Sequence, residues 1–209
     1  MSAFASYIAD IIGVAVFATT GALVASRKQL DLIGFAFLAT ATGIGGGTFR
    51  DVILGREIFW VQDQTYVIVC LAIATITFFS AHLIQRRYTW ILWLDAIGLS
   101  AYGVFGAYIA LSVGATELVA VLMGMMTASF GGVLRDVVAQ EKTLILTQEI
   151  YASAAMLAAV AYIAALSIDY PQAIAAAFGI ACGFTLRAGA LLRGWKTPRY
   201  KPRAGRKYE

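Results

Sequence analysis

The sequence has very little charge for its length. Only 13% of its 209 residues are Asp, Glu, Lys or Arg, whereas 60% are hydrophobic, and the mean hydropathy is +0.77. Soluble domains carry about 25% charged residues, so this chain lacks the polar surface that a water-soluble globule needs. Apolar segments long enough to cross a bilayer recur from Phe4 almost to Arg193, which excludes a single anchor on a soluble domain. We therefore expect one transmembrane domain over residues 1–193.

The chain is also poor in residues that carry chemistry. It has two cysteines and one histidine. Cys70 and Cys182 lie in the middle of apolar segments, where a buried thiol packs as a small hydrophobic side chain. His82 has no Cys, His or carboxylate neighbours at the spacing of metal ligands. No Ser-His-Asp or Cys-His arrangement is present in the sequence. We expect no disulfide, no metal site, no cofactor and no enzymatic activity.

Positive charge is concentrated at the end of the chain. The formal net charge is +4, and seven of the sixteen Lys and Arg residues follow the last apolar segment, namely Arg193, Lys196, Arg199, Lys201, Arg203, Arg206 and Lys207. A basic segment directly after a span is typical of a cytoplasmic end that contacts anionic lipid headgroups. We therefore interpret residues 194–209 as a basic cytoplasmic tail and expect no nucleic-acid binding.

Seven apolar segments have the length of membrane-spanning helices. Their predicted bounds are 4–26, 32–55, 65–85, 90–112, 117–139, 147–168 and 172–192. The loops on the same side as the basic tail carry Arg27, Lys28, Arg86, Arg87 and Lys142. Because cytoplasmic loops are enriched in Lys and Arg, we predict an all-α polytopic membrane protein with its C-terminus in the cytoplasm and its N-terminus outside.

The sequence aligns with itself, without a gap, at an offset of 85 residues. The matched pairs include Asp10 with Asp95, Thr42 with Thr127, Gly46 with Gly131, Gly47 with Gly132, Arg50 with Arg135, Asp51 with Asp136 and Tyr66 with Tyr151. Each copy contains three predicted spans, an odd number, so the second copy enters the membrane in the opposite orientation. We predict an inverted repeat of about residues 4–85 and 90–168, followed by an extra helix at about 172–192.

Each copy carries Gly-Gly-x-x-Arg-Asp-Val in the latter half of its second span. The glycines are Gly45, Gly46 and Gly47 in the second span and Gly131 and Gly132 in the fifth. A glycine inside a helix costs about 1 kcal/mol relative to alanine, so clustered glycines predict a bend or break. Backbone freed at membrane depth must face protein or water, and free carbonyls there suit a passing cation. Alternatively, the glycines only allow helices to cross closely.

Hydroxyl side chains lie near the same depth as these glycines. They are Thr42, Thr48, Thr127 and Ser129. Hydroxyl groups beside a helix break are placed to line a hydrated path. We predict that these four residues and the five glycines form the hinge and lining of a pore.

Arg50 and Arg135 lie inside predicted spans, where a charged side chain facing lipid costs at least about 2.5 to 3.5 kcal/mol. Each arginine therefore needs a buried partner. Residues i and i+1 point to different faces of a helix, so Asp51 and Asp136 are not expected to be those partners. Depth along the spans predicts the pairs Asp10 with Arg50 and Asp95 with Arg135. These charged residues either hold helices together or line or gate a pathway.

At these residues the sequence resembles the prokaryotic trimeric intracellular cation (TRIC) channels, whose two-copy domain is also described as a glycine transporter. The resemblance rests on the run from Gly45 through Gly55-Arg56 and on the run from Gly131 to Val137, and it covers residues 1–193. It implies homotrimers whose subunits each hold a pore, with helices 2 and 5 kinked at the glycines and helix 7 as the extra helix. It also implies passive permeation of monovalent cations, chiefly potassium, across a prokaryotic inner membrane.

The sequence leaves two transport functions open. The first is a channel that passes potassium or sodium ions, favoured by two glycine clusters with adjacent hydroxyl groups. The second is a secondary transporter of glycine or a similar small zwitterion, which inverted repeats with broken helices suit equally well. A scaffold that transports nothing would not need a break in two spans. We therefore expect a potassium channel, with a glycine transporter as the alternative.

Overall fold

The fold consists of helices throughout the part of the chain that the computed structural model describes, residues 3–84, 86–198, 200 and 205. The α-helices are α1 (Ala3–Arg27), α2 (Leu32–Ile53), α3 (Phe59–Gln62), α4 (Thr65–Ser80), α5 (Arg87–Ser112), α6 (Glu117–Val138), α7 (Ala152–Ser167) and α8 (Gln172–Arg193). Two 3₁₀ turns are formed by Ala81–Leu83 and Leu144–Leu146. Within these residues the only β-type pairing is a single bridge between Glu149 and Lys196.

Six helices are long and apolar enough to cross a membrane, which confirms the predicted all-helical membrane fold. They cover Tyr7–Arg27, Leu32–Ile53, Thr65–Leu83, Arg87–Ser112, Glu117–Val138 and Gln172–Arg193. The helix α7, Ala152–Ser167, is apolar but has only 16 residues. At a rise of 1.5 Å per residue it is about 24 Å long, shorter than the roughly 30 Å hydrocarbon core.

One of the predicted bounds was wrong. The predicted span 147–168 begins too early, because Thr147 follows the 3₁₀ turn Leu144–Leu146 and the helix starts only at Ala152. The predicted span 65–85 agrees to within two residues with the apolar helical segment Thr65–Leu83, whose last turn is 3₁₀. Most of the predicted basic tail, including Arg199, Lys201, Arg203, Arg206 and Lys207, lies outside the described residues.

The helices form two sets of three that contact each other. Within the first set α1, α2 and α4 all touch one another, and within the second set α5, α6 and α7 do the same. The two sets meet where α2 packs on α6 and α1 packs on α5, while α8 packs on α5 and α7. The helices that carry the two glycine motifs therefore lie next to each other at the centre of the bundle.

The turns after the two motif helices have the same local geometry, 85 residues apart. Gly55 and Gln140 both have a positive φ, of 63° and 52°. The Arg56 N–H donates to the Asp51 carbonyl at 2.9 Å, and the Glu141 N–H donates to the Asp136 carbonyl at 2.8 Å. The repeat seen in the sequence is thus accompanied by a repeat of backbone conformation at these turns.

The predicted helix break at the glycine motifs is absent. The helix α2 is continuous from Leu32 to Ile53, and α6 is continuous from Glu117 to Val138. Because the helical hydrogen bonding continues through the motifs, no ladder of free carbonyls is exposed at membrane depth. The glycines therefore require another explanation, which their surroundings provide.

Candidate pore and arginine sites

The helices α2 and α6 cross in direct backbone contact. Gly46 faces the carbonyl oxygen of Thr127, and Gly131 faces the carbonyl oxygen of Thr42. A β-carbon on either glycine would collide with that carbonyl, so only glycine permits this approach. Later residues of α2 meet earlier residues of α6, so the two helices run antiparallel at the crossing. Close helix crossing, the alternative considered from the sequence, accounts for these two glycines.

The other motif glycines make room for side chains. Gly45 lies against Leu134, Gly47 against the ring of Phe59, and Gly132 against the hydroxyl of Tyr151. Beside them the rings of Phe49 and Phe130 stack with centroids 4.2 Å apart. The crossing is therefore packed tightly by aliphatic and aromatic groups on both sides of the backbone contact.

The four predicted pore hydroxyls have different surroundings. Those of Thr42, Thr48 and Ser129 donate to the carbonyl four residues earlier in their own helix, at 2.6, 2.8 and 2.8 Å. The Thr127 hydroxyl is buried and has no hydrogen-bond partner among the described residues. Trp60 donates its indole N–H to Thr48 at 2.9 Å. Thr42 and Thr127 thus lie at the crossing, while Thr48 is covered by a tryptophan.

One arginine site, here called the second arginine site, is formed by Asp95, Arg135 and Asp136. Arg135 makes two hydrogen bonds to the Asp95 carboxylate, at 2.8 and 2.9 Å, and a third to the Thr20 hydroxyl at 2.9 Å. Its Nε donates to Asp136 at 2.9 Å. Arg135 and Asp95 are both buried, with 1% and 0% of their surface exposed. The contact predicted between these two residues is present.

The equivalent first arginine site consists of Asp10, Arg50 and Asp51, but its pairing differs. Asp10 accepts hydrogen bonds from the hydroxyls of Tyr66, at 3.0 Å, and Tyr102, at 2.6 Å. Arg50 donates its Nε to Asp51 at 2.8 Å. No ion pair joins Asp10 to Arg50 within 4.0 Å in the described part of the chain, so that predicted pair was wrong. The hydroxyls of Tyr66 and Tyr102 donate to the two Asp10 carboxylate oxygens that Arg50 was expected to bind.

In both copies the arginine binds the aspartate that follows it, contrary to the expectation from helix geometry. The guanidinium lies at the end of a long flexible side chain and can turn back to its neighbour, even though the two Cβ atoms point apart. The other carboxylate oxygen accepts a backbone N–H from the next turn, that of Phe59 for Asp51 at 3.1 Å and that of Leu144 for Asp136 at 3.3 Å. Asp51 and Asp136 therefore fix both the arginine and the following loop.

The two arginine sites lie on opposite sides of the helix crossing. Arg50 is four residues after Gly46, and Arg135 is four residues after Gly131. With antiparallel helices this spacing puts each arginine about 6 Å from the crossing, in opposite directions along the bundle. A path that follows α2 and α6 would pass one arginine site, the glycine crossing and then the other arginine site.

The two sites differ in how they are covered. The short helix α3 lies over the first one, where the Phe59 ring is 5.7 Å from the Arg50 guanidinium and packs on Gly47. Nearby, hydrogen bonds from Thr65 and from the hydroxyl of Tyr7 lower the pKa of the exposed Asp63 carboxyl. These contacts attach the loop after α3 to the start of α1 and close the first site from that side.

The second site opens into a polar cavity of about 310 Å³. Its charged and aromatic lining consists of Arg27, Tyr88, Arg135, Asp136, Glu141 and Lys142. At its edge Glu141 forms ion pairs with Arg27 at 3.1 Å and with Lys28 at 3.8 Å. The cavity therefore borders the second arginine site at Arg135 and Asp136.

One buried charge was missed from the sequence. Arg187 in α8 is 1% exposed and donates to the Ile150 carbonyl at 2.9 Å and to the Glu149 carboxylate at 2.8 Å. The available signal was the same as for the other two arginines, namely a lone arginine inside an apolar span, which requires a partner.

Comparisons with known proteins agree with this architecture. A family model described as Glycine transporter matches residues 7–82 and 92–167, and both ends of the second match lie 85 residues after those of the first. The chain is 36% identical over 187 residues to a UPF0126 membrane protein of Vibrio cholerae, covering 88% of this chain and 78% of that protein. It is 34% identical to the inner membrane protein YadS of Escherichia coli, covering 93% and 95%.

The fold is that of a solved cation channel. The TRIC channel orthologue from Rhodobacter sphaeroides superposes with a TM-score of 0.89 and 47% sequence identity, covering 91% of this chain and 99% of that one. Proteins of this fold are channels rather than enzymes, and the named relatives are bacterial membrane proteins. The chain is thus a multi-pass inner-membrane protein. It belongs to the family described as glycine transporters, and within that family it is a member of the prokaryotic TRIC channels.

Proposed function

We propose that the chain is a channel for monovalent cations, chiefly potassium, with a pathway inside each subunit at the crossing of α2 and α6. The observation that carries this proposal is the 47% identity and TM-score of 0.89 with a TRIC cation channel over 91% of the chain. The crossing supports the location, because it joins the two motif helices and has a buried arginine site on each side.

The charges beside the crossing favour cations over anions. Arg135 is bound by two carboxylates, Asp95 and Asp136. Arg50 binds Asp51 directly and lies within electrostatic reach of Asp10. Each arginine is therefore outnumbered by carboxylates two to one. An ion between the two sites meets an excess of negative charge, which attracts a cation and repels an anion in a medium of low dielectric constant.

The two helices touch at the crossing on which the proposed pathway depends. Gly46 meets the Thr127 carbonyl and Gly131 meets the Thr42 carbonyl, so no gap for an ion is left at these residues. In this proposal, α2 and α6 move apart at the crossing during conduction. We assign Thr42 and Thr127 to the narrowest part of the open pathway, with Thr48 and Ser129 further along, because their oxygen atoms can replace part of the hydration shell of a cation.

The two copies are proposed to be inverted in the membrane. The antiparallel contact of α2 with α6 and the matching backbone geometry at Gly55 and Gln140 support this arrangement. The excess of Lys and Arg on the side of the tail supports a cytoplasmic C-terminus. In that orientation the first arginine site faces the outside, and the second site and its polar cavity face the cytoplasm.

We further propose that three copies of the chain assemble, each with its own pathway. The name of the Rhodobacter sphaeroides channel describes it as trimeric. The basic tail at 194–209 is suited to contact anionic headgroups of the cytoplasmic leaflet. No nucleic-acid partner follows from any of these features.

Purified protein in liposomes tests the channel. A potassium gradient should dissipate without valinomycin, faster than in protein-free liposomes, and the same vesicles should not accumulate labelled glycine. A bi-ionic potential between potassium and sodium then gives the selectivity. Saturable glycine uptake without ionic conductance would contradict the channel and favour the alternative transporter.

A further inference from the structure

Arg187 is a buried charge that the two-copy architecture does not account for. It lies in α8, beyond residue 167, where the second match to the family model ends. A guanidinium that is 1% exposed in a membrane-spanning helix is costly unless it is paired, so its partners show what it is for.

Among the described residues, the hydrogen bonds and the ring contact of Arg187 go to three consecutive residues outside its own helix. One terminal nitrogen donates to the Ile150 carbonyl at 2.9 Å, and the other donates to the Glu149 carboxylate at 2.8 Å. The guanidinium carbon lies 5.5 Å from the ring centroid of Tyr151. One side chain thus holds the short segment that leads into α7.

Tyr151 extends from this segment into the second arginine site. Its side chain is 1% exposed, and its hydroxyl lies against Gly132 of the glycine motif. A β-carbon on Gly132 would also come within 3.6 Å of a terminal nitrogen of Arg135. The phenol therefore packs at the point where the crossing of α2 and α6 meets the second arginine site.

The first copy orients its equivalent tyrosine in a different way. Tyr66, 85 residues earlier, donates its hydroxyl to Asp10 at 3.0 Å. The Tyr151 hydroxyl has no partner among the described residues, because Asp95 is taken by Arg135. Only the second tyrosine lacks an aspartate to orient it, and only the second tyrosine has an arginine beneath its ring.

Hydrogen bonds to α6 and to the chain after α8 also hold the segment before α7 in place. The Leu144 N–H donates to Asp136 of the second arginine site at 3.3 Å, and Leu144 lines the polar cavity. The Thr197 N–H donates to the Gln148 carbonyl at 2.8 Å, and Glu149 forms a bridge with Lys196. Residues 144–151 thus begin at the cavity, which Leu144 lines, and are attached to α8 and to the chain that follows it.

We propose that Arg187 is a positioning residue for conduction, which holds Tyr151 against Gly132 and Arg135 and so sets the width of the pathway at the second arginine site. This inference rests on the proposed channel function. It assigns to α8, which lies outside both copies, a direct influence on the pathway through a single side chain.

Single-channel recordings in planar bilayers test the proposal with Arg187→Met, Tyr151→Leu, the double variant and the control Arg193→Met. Arg193 also lies in α8, but it packs on Trp195, and within the described part of the chain no ion pair joins it to Glu149. Arg187→Met should change unitary conductance or open probability on the order of tenfold in correctly assembled protein, since coupled contacts have effects of this size. Tyr151→Leu should produce the same change, the double variant should add nothing to it, and Arg193→Met should behave as wild type.

Additive effects of the two substitutions, or wild-type recordings from assembled Arg187→Met, would overturn the proposal. If Arg187→Met does not assemble, Arg187→Lys replaces it. Lysine keeps the charge but does not reproduce the planar fork that binds Ile150 and Glu149, so the proposal requires an altered unitary conductance or open probability. Wild-type values of both would refute it.

A readout that does not depend on ion flux separates this inference from the channel itself. Leu92 lines the polar cavity, so Leu92→Cys, in a background with Cys70 and Cys182 replaced by alanine, reports access to the second arginine site. A small water-soluble thiol reagent should modify it faster when Arg187→Met is also present. Faster modification in a protein that conducts no ions would refute the channel but keep the positioning role, and an unchanged rate would refute the positioning role.

Discussion

At the scale of single residues, one difference between the copies explains why their aspartates have different partners. Phe17 and Tyr102 are 85 positions apart, and their rings meet edge to face with centroids 5.3 Å apart. The Tyr102 hydroxyl reaches Asp10, whereas the Phe17 ring offers no donor to Asp95. Asp95 therefore remains available to its arginine, and the two copies have different charge pairings.

Tyr102→Phe should destabilise the protein, because the buried Asp10 carboxylate loses a hydrogen bond of 2.6 Å. The loss of a donor to a buried charged group costs about 1 to 3 kcal/mol. Thermal unfolding in detergent measures the change. The control is Tyr170→Phe, since Tyr170 is 51% exposed. Equal stability of the two variants would show that Tyr66 alone satisfies Asp10.

The sequence was sufficient to predict the contact of Asp95 with Arg135, because the cost of a membrane charge demands a partner and depth along the spans selects it. It was not sufficient for Asp10, whose closest partner, Tyr102, lies 92 residues away and is an ordinary tyrosine in an apolar span. Arg187 shows the opposite case. The cost argument applied to it equally, and only its partners in the loop before α7 were beyond prediction.

At the scale of elements, the sequence predicted a bend or break at the glycine motifs, and the break does not occur. Low helix propensity was expected to interrupt α2 and α6 at Gly46 and Gly131. Tertiary contact overrides that preference, because the missing β-carbons allow two helices to touch along their backbones. The motif glycines can be read from the sequence, but the helix that they contact cannot be predicted from it.

Gly46→Ala and Gly131→Ala should each destabilise the protein, although alanine normally stabilises a helix relative to glycine by about 1 kcal/mol. The added methyl group collides with a backbone carbonyl, which cannot move aside as a side chain can. Overpacking of this kind costs about 1 to 3 kcal/mol. Thermal unfolding in detergent measures it.

Gly189→Ala is the matched control. A β-carbon at Gly189 would meet only the far edge of the Trp195 ring, which is 42% exposed and can shift. This variant should be as stable as wild type or more so. If all three variants were equally stable, close contact of α2 and α6 would not be what the motif glycines provide.

The start of the short helix α7 is a second feature that hydropathy predicted wrongly, because the helix begins at Ala152 and not at residue 147. The predicted span 147–168 is apolar over most of its length, and it includes residues 147–151 as its first turn. The Gln148 carbonyl instead accepts a hydrogen bond from Thr197, which follows α8. The Glu149 carboxylate accepts one from Arg187. These polar contacts are made over long sequence separations, so the apolar pattern could not reveal that residues 147–151 lie outside the helix.

At the scale of the whole molecule, the arrangement of the helices reflects duplication. Each set of three helices forms internal contacts, and the sets meet through their motif helices and through α1 and α5. The offset of 85 residues, visible in the sequence, recurs in the two matches to the family model. The helix α8 packs only on the second set, on α5 and α7, among the principal helix contacts.

The assembled protein should contain three chains. Native mass spectrometry from detergent is expected to give a mass of three times the 22.4 kDa chain, in addition to any bound lipid. The pathway proposed here lies inside each subunit, so the conductance of an assembled particle should show up to three equal open levels. A single open level shared by three chains would contradict a separate pathway in each subunit.

Because the two arginine sites differ, the charges at the two ends of the proposed pathway are not the same. At one end of the proposed pathway an arginine is held by two carboxylates beside a polar cavity, and at the other end an aspartate is held by two phenols beneath a covering helix. An ion arriving from either compartment therefore meets a different sequence of charges before the crossing. Two inverted copies with identical side chains would conduct equally both ways. This pair should instead rectify, so that reversing the voltage changes the size of the current as well as its sign.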